Sequence, residues 1–313
     1  MSKVKTLEDL ISTVRLRAGS NSDASSGTGM KDTDIASMIN DEMDELITFV
    51  KESQQDYLTV ITKITPVSNV SIYRVDPRAL YQQIKKVYYV NSDGTSRIPL
   101  VYIDDSNIPS TCQVTEAPMY YLLRGNDIVF YPPMGSAPVG HYECLWNFKA
   151  NTLVKSTECR QVTNVDTTTK TVTFATIVPA SWTNLLKFDA HSKYSGAEVK
   201  QWDLAATTVS GTQIVFSSVI DNSVTGRKTI EIGDWVCLEQ EAALPSIPTE
   251  LQATLAQAAV VRLAEARGDQ ESVALHQGKL DRMLQVLQVG ISHRTDTEKV
   301  VVNNDGLWDC LIG

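Results

Sequence analysis

No stretch of this sequence reaches the roughly 18 consecutive apolar residues that a membrane-spanning helix needs, so a transmembrane span is not expected. Met1 to Leu10 also lacks the apolar stretch of a secretory signal and reads instead as the start of a helix, which points to assembly in a cytoplasm. Cysteine is sparse and scattered: Cys112, Cys144, Cys159, Cys237 and Cys310 form no Cys-x-x-Cys pair. That odd set predicts reduced thiols, with neither a disulfide framework nor a zinc site. Of four histidines, none sits in a His-Glu-x-x-His pattern, and no Gly-x-Ser-x-Gly elbow nominates a nucleophilic serine. His141, His191, His276 and His293 are therefore expected to be structural or surface residues. Basic residues are outnumbered, 28 against 37 acidic ones, for a net charge of −9. An acidic chain argues against a broad nucleic-acid-binding surface. The basic pairs Lys85-Lys86 and Arg227-Lys228 are too short to track a phosphate backbone and read as solvated surface.

What is present is ordinary globular composition, 42% hydrophobic and 21% charged, in a chain of 313 residues, long enough for two domains. Thr6, with Asp9 three residues on, can cap a first helix in which Leu7, Leu10, Ile11, Val14 and Ala18 recur at helical spacing before Gly19 ends it. A Ser/Gly-rich loop, residues 20–29, precedes a second helix from about Asp32 to Asp56, with Ile35, Met38, Ile39, Met43, Leu46 and Val50 on one stripe. The two are expected to pack as an antiparallel hairpin.

From Tyr57 to Leu244 the pattern changes to short strands and turns. A first β block, residues 57–150, includes hairpin candidates around Asn91–Gly94 and Gly125-Asn126. A second, residues 151–244, has Thr-rich strand–turn–strand units at 161–174 and 207–216, followed by 230–238, and predicts a small sandwich or barrel. Helical spacing returns after Pro248, where Thr249 and Gln252 offer a capping box and Leu251, Leu255, Ala258, Ala259, Leu263 and Ala266 share a face. Gly268 breaks that helix, and a last one runs from about Gln270 to Val289. The expected fold is thus α+β. A discontinuous helical domain (1–56 and 245–294) carries an inserted antiparallel β region, and residues 295–313 form an extended arm.

Residues carrying chemistry are few. The acidic run Asp41, Glu42, Asp44 and Glu45 could place two carboxylates one turn apart on a cation, but it reads first as the solvated face of an amphipathic helix. Gly27-Thr28-Gly29-Met30-Lys31 lacks the Gly-Lys-Ser/Thr ending of a phosphate loop. Asp104-Asp105 and Asp127 show no spacing that suits a glycosidase pair. Tyr88, Tyr89, Tyr102, Tyr120, Tyr121, Tyr131, Tyr142 and Trp146 crowd the first β block, where cross-strand packing explains them and a subunit interface is the alternative. The arm ends in Leu307, Trp308, Leu311 and Ile312, an apolar tip suited to docking on its own domain or on another protein. No catalytic, cofactor or metal residue is expected, and the chain reads as a structural subunit instead of an enzyme.

These features resemble the head-to-tail connector (adaptor, or neck) proteins of tailed bacteriophages. The likeness is carried by Asp32-Thr33-Asp34-Ile35 through Ile39-Asn40, Leu46 and Tyr57, and by Ile247-Pro248-Thr249-Glu250-Leu251, Leu255-Ala256-Gln257-Ala258-Ala259 and Glu265-Ala266-Arg267-Gly268-Asp269. Ile232-Gly233-Asp234-Trp235-Val236 and Ile291-Ser292-His293-Arg294 extend it to about half the chain. The resemblance implies a virion protein at the head–tail junction, forming a twelve-fold ring beneath the portal. Its arm would bind portal, another surface would receive tail proteins, and DNA would pass without sequence recognition or any membrane contact. The 151–244 block departs from the smallest connectors. Readings kept beside it are a tail-tube or baseplate protein, a tail-associated cell-wall hydrolase and a glycan-binding module.

Overall fold

The computed structural model describes residues 4–19, 30–53, 57–94, 96–107, 118–135, 139–224 and 226–290. Helix α1 (Leu7–Arg17) opens with the expected capping box: Thr6 and Asp9 exchange side-chain to backbone bonds, satisfying two otherwise orphaned N–H groups. Helix α2 (Asp32–Ser53) buries Ile35, Ile39, Met43, Leu46, Ile47 and Val50. At the other end of the chain lie α3 (Gln252–Arg267) and α4 (Gln270–Gly290). Gly268 closes α3 in the left-handed conformation (φ 71°), which glycine adopts without a Cβ penalty. The capping box expected at Thr249 does not form. Residues Thr249–Leu251 make a 3₁₀ turn, and the Gln252 side chain instead accepts a bond from the Lys5 backbone N–H at 2.9 Å.

Helix α3 is buried nearly all round, as a helix enclosed by other elements must be. Both amino-terminal helices pack against it. Arg17 donates to the Ala253 carbonyl at 2.8 Å, and Arg262 holds Glu42 and Glu45 of α2. The acidic run is therefore only partly a solvated face, because Glu42 is buried against Arg262 while Asp41 stays exposed. Helix α4 leans on α3 along one side through Leu280 against Ala258 and Val261. Its other side leaves Leu275 and Val286 exposed.

The β region is mixed, not purely antiparallel as expected. One sheet has the order β1 (Thr59–Ile64), β8 (His141–Phe148), β3 (Ala79–Val90), β4 (Arg97–Pro99). A second has the order β2 (Ile72–Arg74), β7 (Asp127–Tyr131), β6 (Tyr120–Arg124), β5 (Val101–Tyr102), with β5 and β6 parallel. Tyr142 of β8 stacks on Phe130 of β7 at 3.7 Å, the cross-strand packing anticipated, while Trp146 and Phe148 stack along β8 itself at 5.7 Å and Tyr102 is exposed. Helices α1–α3 and both sheets share one continuous apolar core.

The second β block is a closed six-stranded barrel in the order β10 (Arg160–Asp166), β11 (Thr171–Phe174), β14 (Gln213–Phe216), β13 (Ser195–Ser210), β12 (Lys187–Ser192), β15 (Trp235–Leu238). Closure removes the unpaired edges that a small open sheet would expose. Its interior has a core of its own, with Trp182 packed edge-on against Phe174 and Phe188, and Phe188 against Phe216. Residues 230–232 lie outside any strand, contrary to the sequence expectation, while Ile230 still seals the barrel core. Cys159 and Cys237 form a disulfide across the β10–β15 side of the barrel, which overturns the expectation of reduced thiols at these two positions.

Candidate functional site

The chain enters the barrel through β9 (Thr152–Leu153) and leaves through β16 (Glu241–Ala242), and these two short strands pair in parallel. Asn40 of α2 grips this ribbon, its side chain accepting from the Leu153 N–H at 2.7 Å and donating to the Leu153 carbonyl at 3.1 Å. A polar side chain thus completes the β9 edge as a neighbouring strand would.

Beside the ribbon lies a buried charged cluster. Arg78, from the loop before β3, donates to Asp189 of β12 at 2.7 Å, to Asp203 of β13 at 2.9 Å and to Asn151 at 2.5 Å. Asp189 is wholly buried and also accepts the backbone N–H groups of Asp203 and Gln240, both at 3.0 Å. Asn151 completes the set by donating to Asp189 at 2.8 Å and to the Glu241 carbonyl at 3.2 Å. His191 Nε2 lies 3.0 Å from both the Asn151 amide nitrogen and the Glu241 carbonyl, which ties the ring to the same cluster. Burial drives the His191 pKa down, keeping the ring neutral. Burial also lowers the Arg78 pKa, but Asp189 and Asp203 more than offset it and the net shift is upward. Desolvation raises Asp203 against the pull of Arg78. This arrangement locks charge in place. Every donor of Arg78 that enters the cluster meets an acceptor.

Two clefts follow the same seam between the barrel and the sheets. One, about 360 Å³, has Ile84, Ile128, Cys144 and Trp146 in its wall and Arg74, Asp76, Lys187 and Asp203 among its lining. Burial pushes the Cys144 thiol up to about 12, so it is not a thiolate at neutral pH. The other, about 500 Å³, runs between β1 and the start of β13. At that start a Cβ on Gly196 would collide with the Leu244 carbonyl, so only glycine lets the barrel strand approach the chain leaving for α3.

Among the described residues no group of three or more His, Cys, Asp or Glu side chains could hold a metal ion. His276 is buried between α3 and α4 beside Gln257, and His141 lies 3.6 Å from Glu143. Asp105 pairs with Arg124. The apolar tip, Leu307, Trp308, Leu311 and Ile312, lies outside the described residues, as do His293, Cys112, Cys310 and the Ser/Gly loop. Sequence reasoning missed the Arg78 cluster, whose members span positions 78 to 241 with no fixed spacing. The only local sign was an Asp and a His two apart in a β-rich segment. No family model matches the chain, and no curated protein matches it significantly.

Proposed function

We propose that this chain is a non-enzymatic structural subunit of a tailed-phage neck, assembling as a ring beneath the portal and letting DNA pass from head to tail. The observation that carries the reading is the helical layer built from both ends of the chain, with the β region inserted between α2 and α3. Such a layer fixes the root of a carboxyl-terminal segment beside the amino-terminal helices. Support also comes from α4, which packs on one side only and offers Leu275 and Val286 for contact with a neighbouring copy. Heterologous contacts of this kind close into rings when the rotation between subunits permits. The buried Arg78 cluster suits a subunit whose barrel must hold a set orientation.

In this reading residues 295–313 form the portal-binding arm, with Trp308 as anchor and Leu307, Leu311 and Ile312 around it. The test is assembly on purified portal, followed by light scattering and negative-stain microscopy, with full-length chain and a chain lacking 295–313. Rings with full-length chain and loss of capture on deletion are expected. Trp308→Ala should weaken portal binding by about 2 kcal/mol or more, the size of an interface hot spot. A monomer that ignores portal would refute the assignment.

A further inference from the structure

Helix α4 is held to the rest of the molecule by very little. Of its described side chains, residues 270–286, only His276 and Leu280 are buried. They lie one turn apart on the side that meets α3, with Val273 and Leu284 half-buried along the same stripe. Leu280 packs on Ala258 and Val261, a small apolar contact. Gly278 interrupts the helix where an added Cβ would meet nothing, so no close packing calls for it, and a glycine in a helix interior weakens it relative to alanine. A helix with so little apolar cover depends on its polar fastening.

That fastening is a relay with a fixed direction. Arg17, the last residue of α1, donates to the Ala253 carbonyl of α3 at 2.8 Å and to Gln257 Oε1 at 3.3 Å. A guanidinium only donates, so it holds the oxygen end of the Gln257 amide toward α1. The nitrogen end faces α4, where Gln257 Nε2 donates to the His276 backbone carbonyl and to His276 Nδ1, each at 3.2 Å. Both amide hydrogens are then used, Nδ1 accepts, and the ring carries its own proton on its Nε2. Turning the amide over would set its NH2 against Arg17 and its oxygen against the carbonyl. The docked ring is therefore neutral, and a second proton would have to enter at Nδ1, against a group that is donating to it. Burial and the Lys279 ammonium also oppose protonation, against a smaller pull from Asp269. From α1 the facing charge is Arg17, acting through Gln257, and α3 presents the uncharged Gln257 itself.

We propose that His276 makes α4 an acid-released helix: protonation at Nδ1 breaks the Gln257 contact and frees α4 from α3 while the rest of the molecule stays folded. The packing allows that separation. Helices α1–α3 share the main apolar core with both sheets, whereas α4 brings only Leu284 to its margin. The docked form favours the neutral ring and the free form does not discriminate. Docking is thus firm above the free ring's ordinary pKa of about 6.5 and weakens as pH falls below it. Acid release needs no ring of subunits and is independent of the neck assignment.

The test is hydrogen exchange of the full chain read by mass spectrometry at pH 7.5 and pH 5, corrected for the intrinsic pH dependence of exchange, with α3 and α4 peptides followed separately. A free ring of ordinary pKa is protonated about 30 to 1 at pH 5, so α4 should open up to about 30-fold more often there while α3 stays protected. His276→Gln takes no proton and should open equally at both pH values. Gln257→Glu still accepts from Arg17 and can also accept from a protonated ring, so it should reverse the sign, with α4 opening less at pH 5 than at pH 7.5. Equal opening of α4 in the parent at both pH values overturns the proposal, as does an acid response that survives in His276→Gln. Loss of α3 and α4 protection in step overturns it in favour of global acid unfolding. If Gln257→Glu does not fold, the parent and His276→Gln decide between these outcomes.

Discussion

Replacing Arg78 by Met tests whether the buried cluster fastens the barrel to the rest of the molecule. The substitution roughly preserves side-chain volume but strands Asp189, which is wholly buried. Asp189 would keep its bonds from Asn151 at 2.8 Å and from the Asp203 and Gln240 N–H groups at 3.0 Å, but lose its cation. Removing one partner of a buried ion pair costs about 3–5 kcal/mol, since the remaining charge stays desolvated. Unfolding entropy of about 2.1 cal/mol/K per residue over this chain converts each kcal/mol to about 1.5 °C, so the melting temperature should fall by about 5–8 °C. Differential scanning calorimetry measures this directly. Arg78→Met/Asp189→Asn removes the stranded charge and should recover part of the loss, making the pair strongly non-additive. A single variant melting within about 1 °C of the parent, or strict additivity in the double, would refute the account.

The buried His191 carries a pH signature. Its folded pKa is depressed by burial, so below the unfolded value of about 6.5 the unfolded chain binds the proton more readily and stability falls on acidification. His191→Gln should flatten the dependence of melting temperature on pH just below neutrality; difference measurements are needed because Asp203 and Glu241, raised by burial, act in the opposite direction. Lys51 should behave similarly at alkaline pH: with its folded value near 8, Lys51→Met raises the melting temperature at pH 7, and the gain shrinks between pH 8 and 10 as the parent amine is neutralised. If the gain is the same at both pH values, the amine is not desolvated. Cys159 and Cys237 are 78 positions apart, and tethering them restricts the unfolded chain by about 4.5 kcal/mol on loop-closure grounds. Oxidised protein should therefore melt above Cys159→Ala, and intact mass under non-reducing conditions should be lower by two hydrogens; equal masses would remove the crosslink from the picture.

Local signals were legible where the physics is local. The Thr6 cap, the Gly268 stop and the turns at Asn91–Gly94 and Gly125-Asn126 all lie where the residues placed them, because each depends on a few neighbouring backbone groups. Only the end of the 16-residue strand β13, residues 207–209, was legible; its earlier part escaped notice because Lys200, Gln201 and Asp203 break the apolar alternation. Those residues are in the strand because distant partners satisfy them: Lys200 pairs with Asp234, Gln201 donates to the carbonyls of Asp221 and Lys228, and Asp203 meets Arg78.

The β9–β16 ribbon bears on how the barrel withstands force. Its strands run side by side in the same direction, tied by Thr152 N–H to the Gln240 carbonyl at 2.8 Å and Val154 N–H to the Ala242 carbonyl at 3.0 Å. A pull along these strands loads both bonds at once in shear, whereas a sideways pull opens them one after another. The Asn40 clamp carries the same load into α2 and, through Arg262, on to α3. The barrel's root should therefore resist a pull along its strands more than one across them.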